Sequence, residues 1–286
     1  IDELKFGKAA SLDGLTVEHL KNSHPIVVSI LSKLFNLMIL CHYVPDAFGV
    51  GLCIPLLKHN SNSPSESKNY RGITVSPVLS KIFEIAVGNK LNMYLTTSEL
   101  QFGFKKKLSC NHAIYSVRTT VNYFVKNGST VNLCALDLSR AFDRVNHYCL
   151  FIKLLERKIP LNFVLLFECL YSKSYISVRW CNSFSYFVCL TAGVRQGGIL
   201  SPQFFAVYVD SILAALSNSN LGCRIRGIFV GAFMYADDLL LLSASVVDLQ
   251  KMIDLCSAEL ENLDMVINVN KTMCIRIGRR CNSKCA

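Results

Sequence analysis

Two adjacent aspartates, Asp237 and Asp238, lie inside the otherwise apolar run FMYADDLLLL at positions 233–242. Moving a carboxylate out of water costs several kcal/mol unless a cation or hydrogen bonds compensate for the lost hydration. Short apolar arms on both sides of a tight turn predict a β-hairpin with the two acids at its tip. The run therefore indicates that this hairpin binds a divalent metal ion.

Length and composition favour a folded chain with a sizeable core. The 286 residues are enough for one large or two modest domains, and 51% apolar with only 17% charged residues favours a folded chain over a disordered one. The longest apolar stretch, 27–40, is interrupted by Lys33 and Asn36 and is too short to span a bilayer, so it predicts an amphipathic helix and no membrane association. No signal or transit peptide is recognisable. Because the chain starts at Ile1 rather than Met, we expect a fragment of a longer protein.

The net charge indicates what kind of partner the chain binds, and the cysteines indicate its cellular compartment. The formal net charge of +10 favours a polyanionic partner, nucleic acid first, although a basic surface that only keeps the protein soluble fits the charge as well. Thirteen cysteines without a CxxC pair are typical of reduced thiols in an intracellular protein. Cys281 and Cys285, with Cys274, could instead begin a zinc site, but no fourth ligand follows.

Periodicity and turn residues predict alternating helices and strands. The segment 59–69, rich in Ser, Asn and Pro, predicts a flexible loop. The other predicted elements are strands over 50–57 and 131–138, two strands within 175–190, a strand pair within 265–277, and helices over 27–40, 78–87, 111–125, 147–158, 204–216 and 247–263.

A third acid, Asp137, ends the apolar strand LCALD at 133–137. Beside the hairpin, it would complete a cluster of three carboxylates from two strands. Such oxygen ligands suit Mg²⁺, and two ions about 3.5–4 Å apart stabilise the attacking and leaving oxygens of an in-line displacement. The alternative is that Asp137 caps the next helix, a common role for aspartate after a strand.

A glycine-rich segment, AGVRQGGILSP, occupies positions 192–202. Its glycines allow the backbone to approach a flat ligand, Gln196 offers hydrogen bonds, and Ser201-Pro202 starts a helix. An ordinary strand-to-helix loop is the alternative interpretation.

Three of these segments follow one another in an order that is characteristic of one enzyme family. LDLSRAFD (136–143), AGVRQGGILSP and YADD (235–238) resemble the A, B and C motifs of reverse transcriptases, and the combination is most similar to the non-LTR (LINE-type) enzymes. The resemblance covers about 7–277. Its supporting blocks are NYRGIT (69–74), KIFE (81–84), QFGF (101–104) and NVNKT (268–272).

The resemblance implies a role for each acid and for one aromatic residue. Asp137 and Asp237 would be the principal metal ligands, and Asp238 would bind metal less directly. Phe142 falls at the position of a bulky steric gate, where a ring would clash with a ribose 2′-hydroxyl and favour dNTP over NTP.

It also implies contacts with the incoming nucleotide. Backbone N–H groups of Arg140 and Ala141 would face the triphosphate, Gln196 would contact the nucleotide, and Gly197 would keep the site open. From the fingers, Arg71 would clamp the triphosphate, since guanidinium binds phosphate oxygens bidentately.

Two lysines have weaker assignments. Lys58 would assist Arg71, or else is a solvated loop lysine. Lys271 matches a lysine proposed in the family as the general acid for the pyrophosphate leaving group, and a plain surface lysine is its alternative.

The fold implied is α+β: the right-hand polymerase fold with fingers and palm, the palm being an antiparallel sheet backed by helices. We expect an N-terminal extension over 1–37 and a reverse transcriptase domain over 38–286. Within that domain the fingers would take about 38–112 and 145–198, the palm would take about 113–144 and 199–286, and a thumb would be absent or truncated.

The activity implied is RNA-directed DNA polymerisation with two Mg²⁺ ions, for which Mn²⁺ is a possible substitute. The expected partners are an RNA template, a DNA primer and dNTPs, in the cytoplasm and nucleus; the oligomeric state stays open. The alternatives are a group II intron-type reverse transcriptase, an RNA-dependent RNA polymerase, and a catalytically silent or co-opted remnant that binds nucleic acid.

Overall fold

The computed structural model describes residues 1, 4–58, 63–195 and 197–281. The helices are α1 (Val17–Lys21), α2 (Ile26–Cys41), α3 (Asp46–Gly49), α4 (Val78–Leu91), α5 (Cys110–Lys126), α6 (His147–Glu156), α7 (Leu161–Ser172), α8 (Ser201–Asn218) and α9 (Val246–Asn262). The strands are β1 (Val50–Leu57), β2 (Tyr70–Val75), β3 (Val131–Asp137), β4 (Tyr175–Trp180), β5 (Ser183–Phe184), β6 (Val188–Cys189), β7 (Arg224–Ile225), β8 (Ile228–Phe229), β9 (Ala232–Tyr235), β10 (Asp238–Ser243) and β11 (Met273–Ile277). None of the helices in these ranges is long and apolar enough to cross a membrane.

The chain divides into two compact units, each built from two stretches of sequence. The first unit comprises 1–95 and 150–201, and the second comprises 96–149 and 202–286. The fingers and palm boundaries stay predictions.

The first unit is organised around a sheet in which β1 is central. Strand β1 pairs antiparallel with β2 and parallel with β4, and β4 also pairs with β5 and β6. Helix α4 buries Phe83, whose ring meets those of Phe35 and Phe48 edge-on at centroid distances of 5.2 and 5.9 Å. Such edge-to-face pairs add to the stabilisation gained by burying the rings.

The second unit contains a four-stranded antiparallel sheet in the order β11-β3-β10-β9. Side chains alternate between its two faces, as the strand period requires. On one face Leu133, Phe233 and Leu242 form a buried cluster with Val121 of α5. The prediction of an antiparallel sheet backed by helices is therefore confirmed. Packing against α5 holds in place the sheet that carries the acids.

Most of the predicted elements are present, with shifted ends. The strands at 50–57 and 131–138 and the six predicted helices correspond to β1, β3, α2, α4, α5, α6, α8 and α9. The predicted strand pair within 265–277 is wrong in part, because only β11 forms there, with an isolated bridge between Leu138 and Ile267. Strand β2 and helix α7 were not predicted. In the predicted loop 59–69, residues 59–62 lie outside the described residues, and Ser67–Asn69 forms a short 3₁₀ helix.

Candidate active site

The three acids meet at one end of the antiparallel sheet. The register of β10 with β3 sets Asp238 directly opposite Asp137, and the register with β9 sets Asp238 opposite Tyr235. Directly opposed residues point to the same face of a sheet and have neighbouring Cβ atoms. Two inner strands that are distant in sequence thus bring a pair of carboxylates to one end of the sheet.

The predicted hairpin is present, and its tip is a two-residue turn of Ala236 and Asp237. Asp237 lies in the turn, whereas Asp238 is the first residue of β10. Ala236 has φ of 59°, in the left-handed region that glycine usually occupies in such turns. The tip is therefore held in a conformation that its sequence does not favour by itself.

Asp137 contacts the segment that precedes β11. Asn268 donates its side-chain N–H to Asp137 Oδ2 at 3.0 Å, and its backbone N–H to the Asp137 carbonyl at 2.8 Å. Lys271 Nζ lies 3.4 Å from the same Oδ2 atom. These side-chain contacts do not support the helix-capping alternative, since the next helical turn, Ala141–Asp143, is preceded by Arg140 and has no side-chain cap.

The carboxylates repel one another. Loss of hydration at the hairpin, followed by the charges of Asp237 and Asp137, raises the pKa of Asp238, and Lys271 acts in the opposite direction. Lys271 is 68% exposed, so solvent screens its charge and it compensates the cluster incompletely. The site is short of positive charge, which a bound cation would supply.

The donors fit Mg²⁺ in kind, because all three are hard carboxylate oxygens. Across the described ranges, however, no three histidine, cysteine, aspartate or glutamate side chains form a group arranged to hold a metal ion. The zinc alternative stays a prediction, because Cys274 and Cys281 are exposed and Cys285 lies outside the described residues.

The second unit also positions the residues assigned to the sugar and triphosphate. Arg140 has φ of 50° and precedes the 3₁₀ turn Ala141–Asp143, in which Ala141 is buried. The ring of Phe142 stacks on Phe205 at a centroid distance of 4.4 Å and meets Phe104 edge-on at 6.0 Å. Packing between two other rings fixes the orientation of this aromatic side chain.

A groove of about 900 Å³ opens beside the acids in the same unit. Helix α5 forms one wall with Ile114 and Arg118, and the sheet face that carries Asp137 and Asp238 forms the other. Its walls are mostly apolar, with Lys271 at the acidic end. The carboxylates therefore border an open space.

The first unit brings other predicted residues together. Arg71 is exposed on β2, and Lys58 follows β1, where its backbone N–H donates to the Asn69 carbonyl at 2.9 Å. Gly197 lies against the same β2 strand, because a Cβ there would be 2.0 Å from the Thr74 carbonyl oxygen. Gly197 also has φ of 107°, which strains any other residue. Gln196 lies outside the described residues.

A buried ion pair holds the Gly197 loop. Arg195 donates to Glu84 Oε1 at 3.4 Å and to the Phe48 carbonyl at 2.9 Å, while Glu84 Oε2 accepts the backbone N–H of Leu200 at 3.0 Å. Neither charged side chain is more than 5% exposed. Arg195 and Leu200, which lie on either side of Gly197, are thus both held by contacts with Glu84.

Residue-type reasoning alone assigned no role to Glu84, Arg195 or Asn268. The first two fall inside the blocks KIFE and AGVRQGGILSP, and the third begins NVNKT. An acid between apolar residues of a predicted helix and an arginine near glycines were the available signals, because buried charges require partners.

Comparison with known proteins agrees with this geometry. A family model described as reverse transcriptase (RNA-dependent DNA polymerase) matches residues 57–280. The chain is 24% identical over 273 residues to the Pol polyprotein of a type-2 retrotransposable element of Drosophila melanogaster, covering 96% of this chain and 25% of that protein. It is 26% identical over 256 residues to the RNA-directed DNA polymerase of the mobile element jockey of Drosophila funebris, covering 86% and 26%.

Solved structures show the same fold. The apo telomerase of Candida tropicalis, truncated from its C-terminal domain, superposes with a TM-score of 0.59 at 14% identity over 88% of this chain and 56% of that one. Telomerase of Candida albicans, in complex with a fragment of telomeric RNA, superposes with a TM-score of 0.59 at 14% identity. The match covers 88% of this chain and 46% of that one. The chain therefore has the right-hand polymerase fold that the sequence motifs implied. The chain belongs to the reverse transcriptase family, and its relatives are of the non-LTR class, as the sequence motifs predicted. It spans about a quarter of the length of the two transposon relatives.

Proposed function

We propose that this chain is the polymerase core of a non-LTR retrotransposon protein, an RNA-directed DNA polymerase that adds dNTPs to a primer 3′-hydroxyl. The observation that carries the proposal is the register that sets Asp137 opposite Asp238, beside Asp237 at the hairpin tip. The reverse transcriptase family to which the chain belongs supports this chemistry.

The acids would hold two Mg²⁺ ions, with Mn²⁺ as a substitute. Asp137 and Asp237 are the proposed principal ligands, and Asp238 binds less directly. When bound, the metal charge would stabilise the attacking and leaving oxygens of an in-line displacement. Metal dependence is general to the family, and the unbalanced negative charge at Asp238 supports it in this chain.

The other residues position the nucleotide. Arg71, assisted by Lys58, clamps the triphosphate, and backbone N–H groups of Arg140 and Ala141 face it. Gln196 contacts the nucleotide beside Gly197. Lys271, close to Asp137, donates a proton to the departing pyrophosphate.

The proposed partners are an RNA template, a DNA primer and dNTPs, encountered in the cytoplasm and nucleus. The jockey relative is named an RNA-directed DNA polymerase, and one structural neighbour was solved with an RNA fragment. The net charge of +10 supports binding of a polyanion.

Primer extension on an RNA template tests the proposal. We expect the full-length protein to extend the primer with dNTPs when Mg²⁺ is present, and Asp237→Asn to abolish extension because a metal ligand is lost. Equal extension by both proteins would overturn the assignment. Salt-dependent RNA binding without any Mg²⁺-dependent incorporation would instead identify a catalytically silent remnant.

Replacing Phe142 with valine tests sugar selection. We expect the preference for dCTP over CTP, taken as the ratio of kcat/KM values, to fall by about 10- to 200-fold, because the ring that meets the 2′-hydroxyl is removed. Phe124→Val is a matched control, since it removes the same ring from α5. An unchanged ratio in Phe142→Val, measured by single-nucleotide incorporation, would contradict the steric-gate role.

A further inference from the structure

Gln101 is a buried polar residue next to the hairpin, with only 1% of its surface exposed. The short segment 100–103 runs alongside β9: Met234 donates its backbone N–H to the Leu100 carbonyl at 2.9 Å, and Phe102 donates to the Met234 carbonyl at 2.8 Å. Gln101 lies between these two bonds, in a parallel bridge with Met234. Its side chain therefore has a fixed origin beside the acidic hairpin.

The carboxamide of Gln101 binds the backbone of Ala236 on both sides. Ala236 donates its N–H to Gln101 Oε1 at 3.1 Å, and Gln101 Nε2 donates to the Ala236 carbonyl at 3.2 Å. Gln101 Oε1 also accepts the N–H of Gly103 at 2.8 Å. A side-chain amide can bind both the N–H and the C=O of one residue in this way because it carries both a donor and an acceptor.

Ala236 needs such a restraint. Its φ of 59° is uncommon for a residue with a Cβ, and unusual conformations of this kind persist where the surroundings fix them. Asp237, the next residue, takes its position from this peptide. Gln101 thus binds the backbone of the residue that immediately precedes Asp237.

Gly103 completes the arrangement. A Cβ at this position would lie 2.3 Å from the Ala236 nitrogen and 2.9 Å from its Cα. These are backbone atoms that cannot rotate away, so any side chain at 103 would displace the hairpin tip.

We propose that Gln101, with Gly103 packed beside it, is a positioning residue that holds the Ala236-Asp237 turn in the conformation needed for metal binding. The inference rests on the proposed polymerase function for its consequence, and on the geometry of the second unit for its mechanism. Residues that orient metal ligands typically change metal affinity or activity by about 10- to 100-fold when replaced.

Gln101→Met tests the inference, because methionine keeps the length of the side chain and removes all three hydrogen bonds. We expect kcat per active molecule to fall by about 10- to 100-fold and the Mg²⁺ concentration for half-maximal activity to rise by a similar factor. KM for dNTP should change little. Gly103→Ala should produce the same phenotype by pushing on the same turn.

The matched control is Gln250→Met. It makes the same substitution in the same unit and removes one side-chain amide hydrogen bond, from Gln250 to Asp254 on the exposed surface of α9. We expect its Mg²⁺ dependence to equal that of the unmodified protein.

Two readouts do not need activity. Hydrogen exchange of the 233–240 peptide should accelerate in Gln101→Met while exchange of β3 stays slow, and Mn²⁺ binding, measured by titration calorimetry, should weaken. Unchanged exchange and unchanged Mn²⁺ affinity would overturn the inference, as would an activity loss that only follows a smaller folded fraction. An inactive unmodified protein would instead count against the proposed function, and exchange and Mn²⁺ binding would still decide the role of Gln101.

Discussion

Replacing Arg195 with methionine is expected to lower the free energy of unfolding of the first unit by about 3–5 kcal/mol, the usual cost of breaking a buried ion pair by removing one partner. Glu84 would remain as a buried charge, and the Phe48 carbonyl would lose its donor. Urea unfolding followed by tryptophan fluorescence gives the measurement, since Trp180, the single tryptophan, lies on β4 of this unit.

The control is Arg179→Met, which makes the same change at an exposed position of the same unit. Its unfolding free energy should stay within about 0.5 kcal/mol of the unmodified value. The double variant Glu84→Met/Arg195→Met should lose less stability than the sum of the single variants, with a coupling of about 0.5–3 kcal/mol. Additive losses, or an Arg195→Met effect as small as the control, would show that the pair is not a stabilising unit.

The three acids of the candidate site could be found from the sequence because their signal is local. Two aspartates among leucines cost folding free energy unless a cation or hydrogen bonds compensate for the lost hydration. An aspartate at the end of an apolar strand is recognisable from a few neighbouring residues. The short apolar arms on both sides of a tight turn then predicted the hairpin correctly. The opposition of Asp137 and Asp238, however, depends on pairing between segments a hundred residues apart.

The supporting residues could not be assigned for the same reason. Gln101 is an ordinary polar residue until the fold places it beside Ala236, 135 positions away. Glu84 and Arg195 likewise gain a role only when α4 meets the Gly197 loop. Strand β2, with a glycine and an arginine within six residues, has a weak local signal and is fixed by its pairing with β1.

The residues that hold the fold together therefore differ from the acids proposed to bind metal. Arg195 and Glu84 are buried and hold a loop, so their loss is expected mainly as lost stability. Asp137 is 30% exposed and lies in a repulsive cluster, so its negative charge contributes little to the fold. If these acids bind the catalytic metal ions, replacing Arg195 or Glu84 should mainly lower stability, whereas replacing Asp137 should mainly lower activity.

Replacing Asp137 with asparagine is accordingly expected to lower kcat/KM for dNTP incorporation by about 10³-fold or more, because a principal metal ligand loses its charge and the metal contributes several kcal/mol to the reaction. The free energy of unfolding should change by less than about 1 kcal/mol, since the lost ion pair with the exposed Lys271 is screened by solvent and the repulsion between Asp137 and Asp238 is relieved.

The control is Asp254→Asn, which makes the same change at an exposed position of α9 and should leave kcat/KM and the free energy of unfolding unaltered. Single-turnover incorporation with thermal melting of the same samples separates the two effects, and an activity loss explained by unfolding alone would remove Asp137 from the metal site.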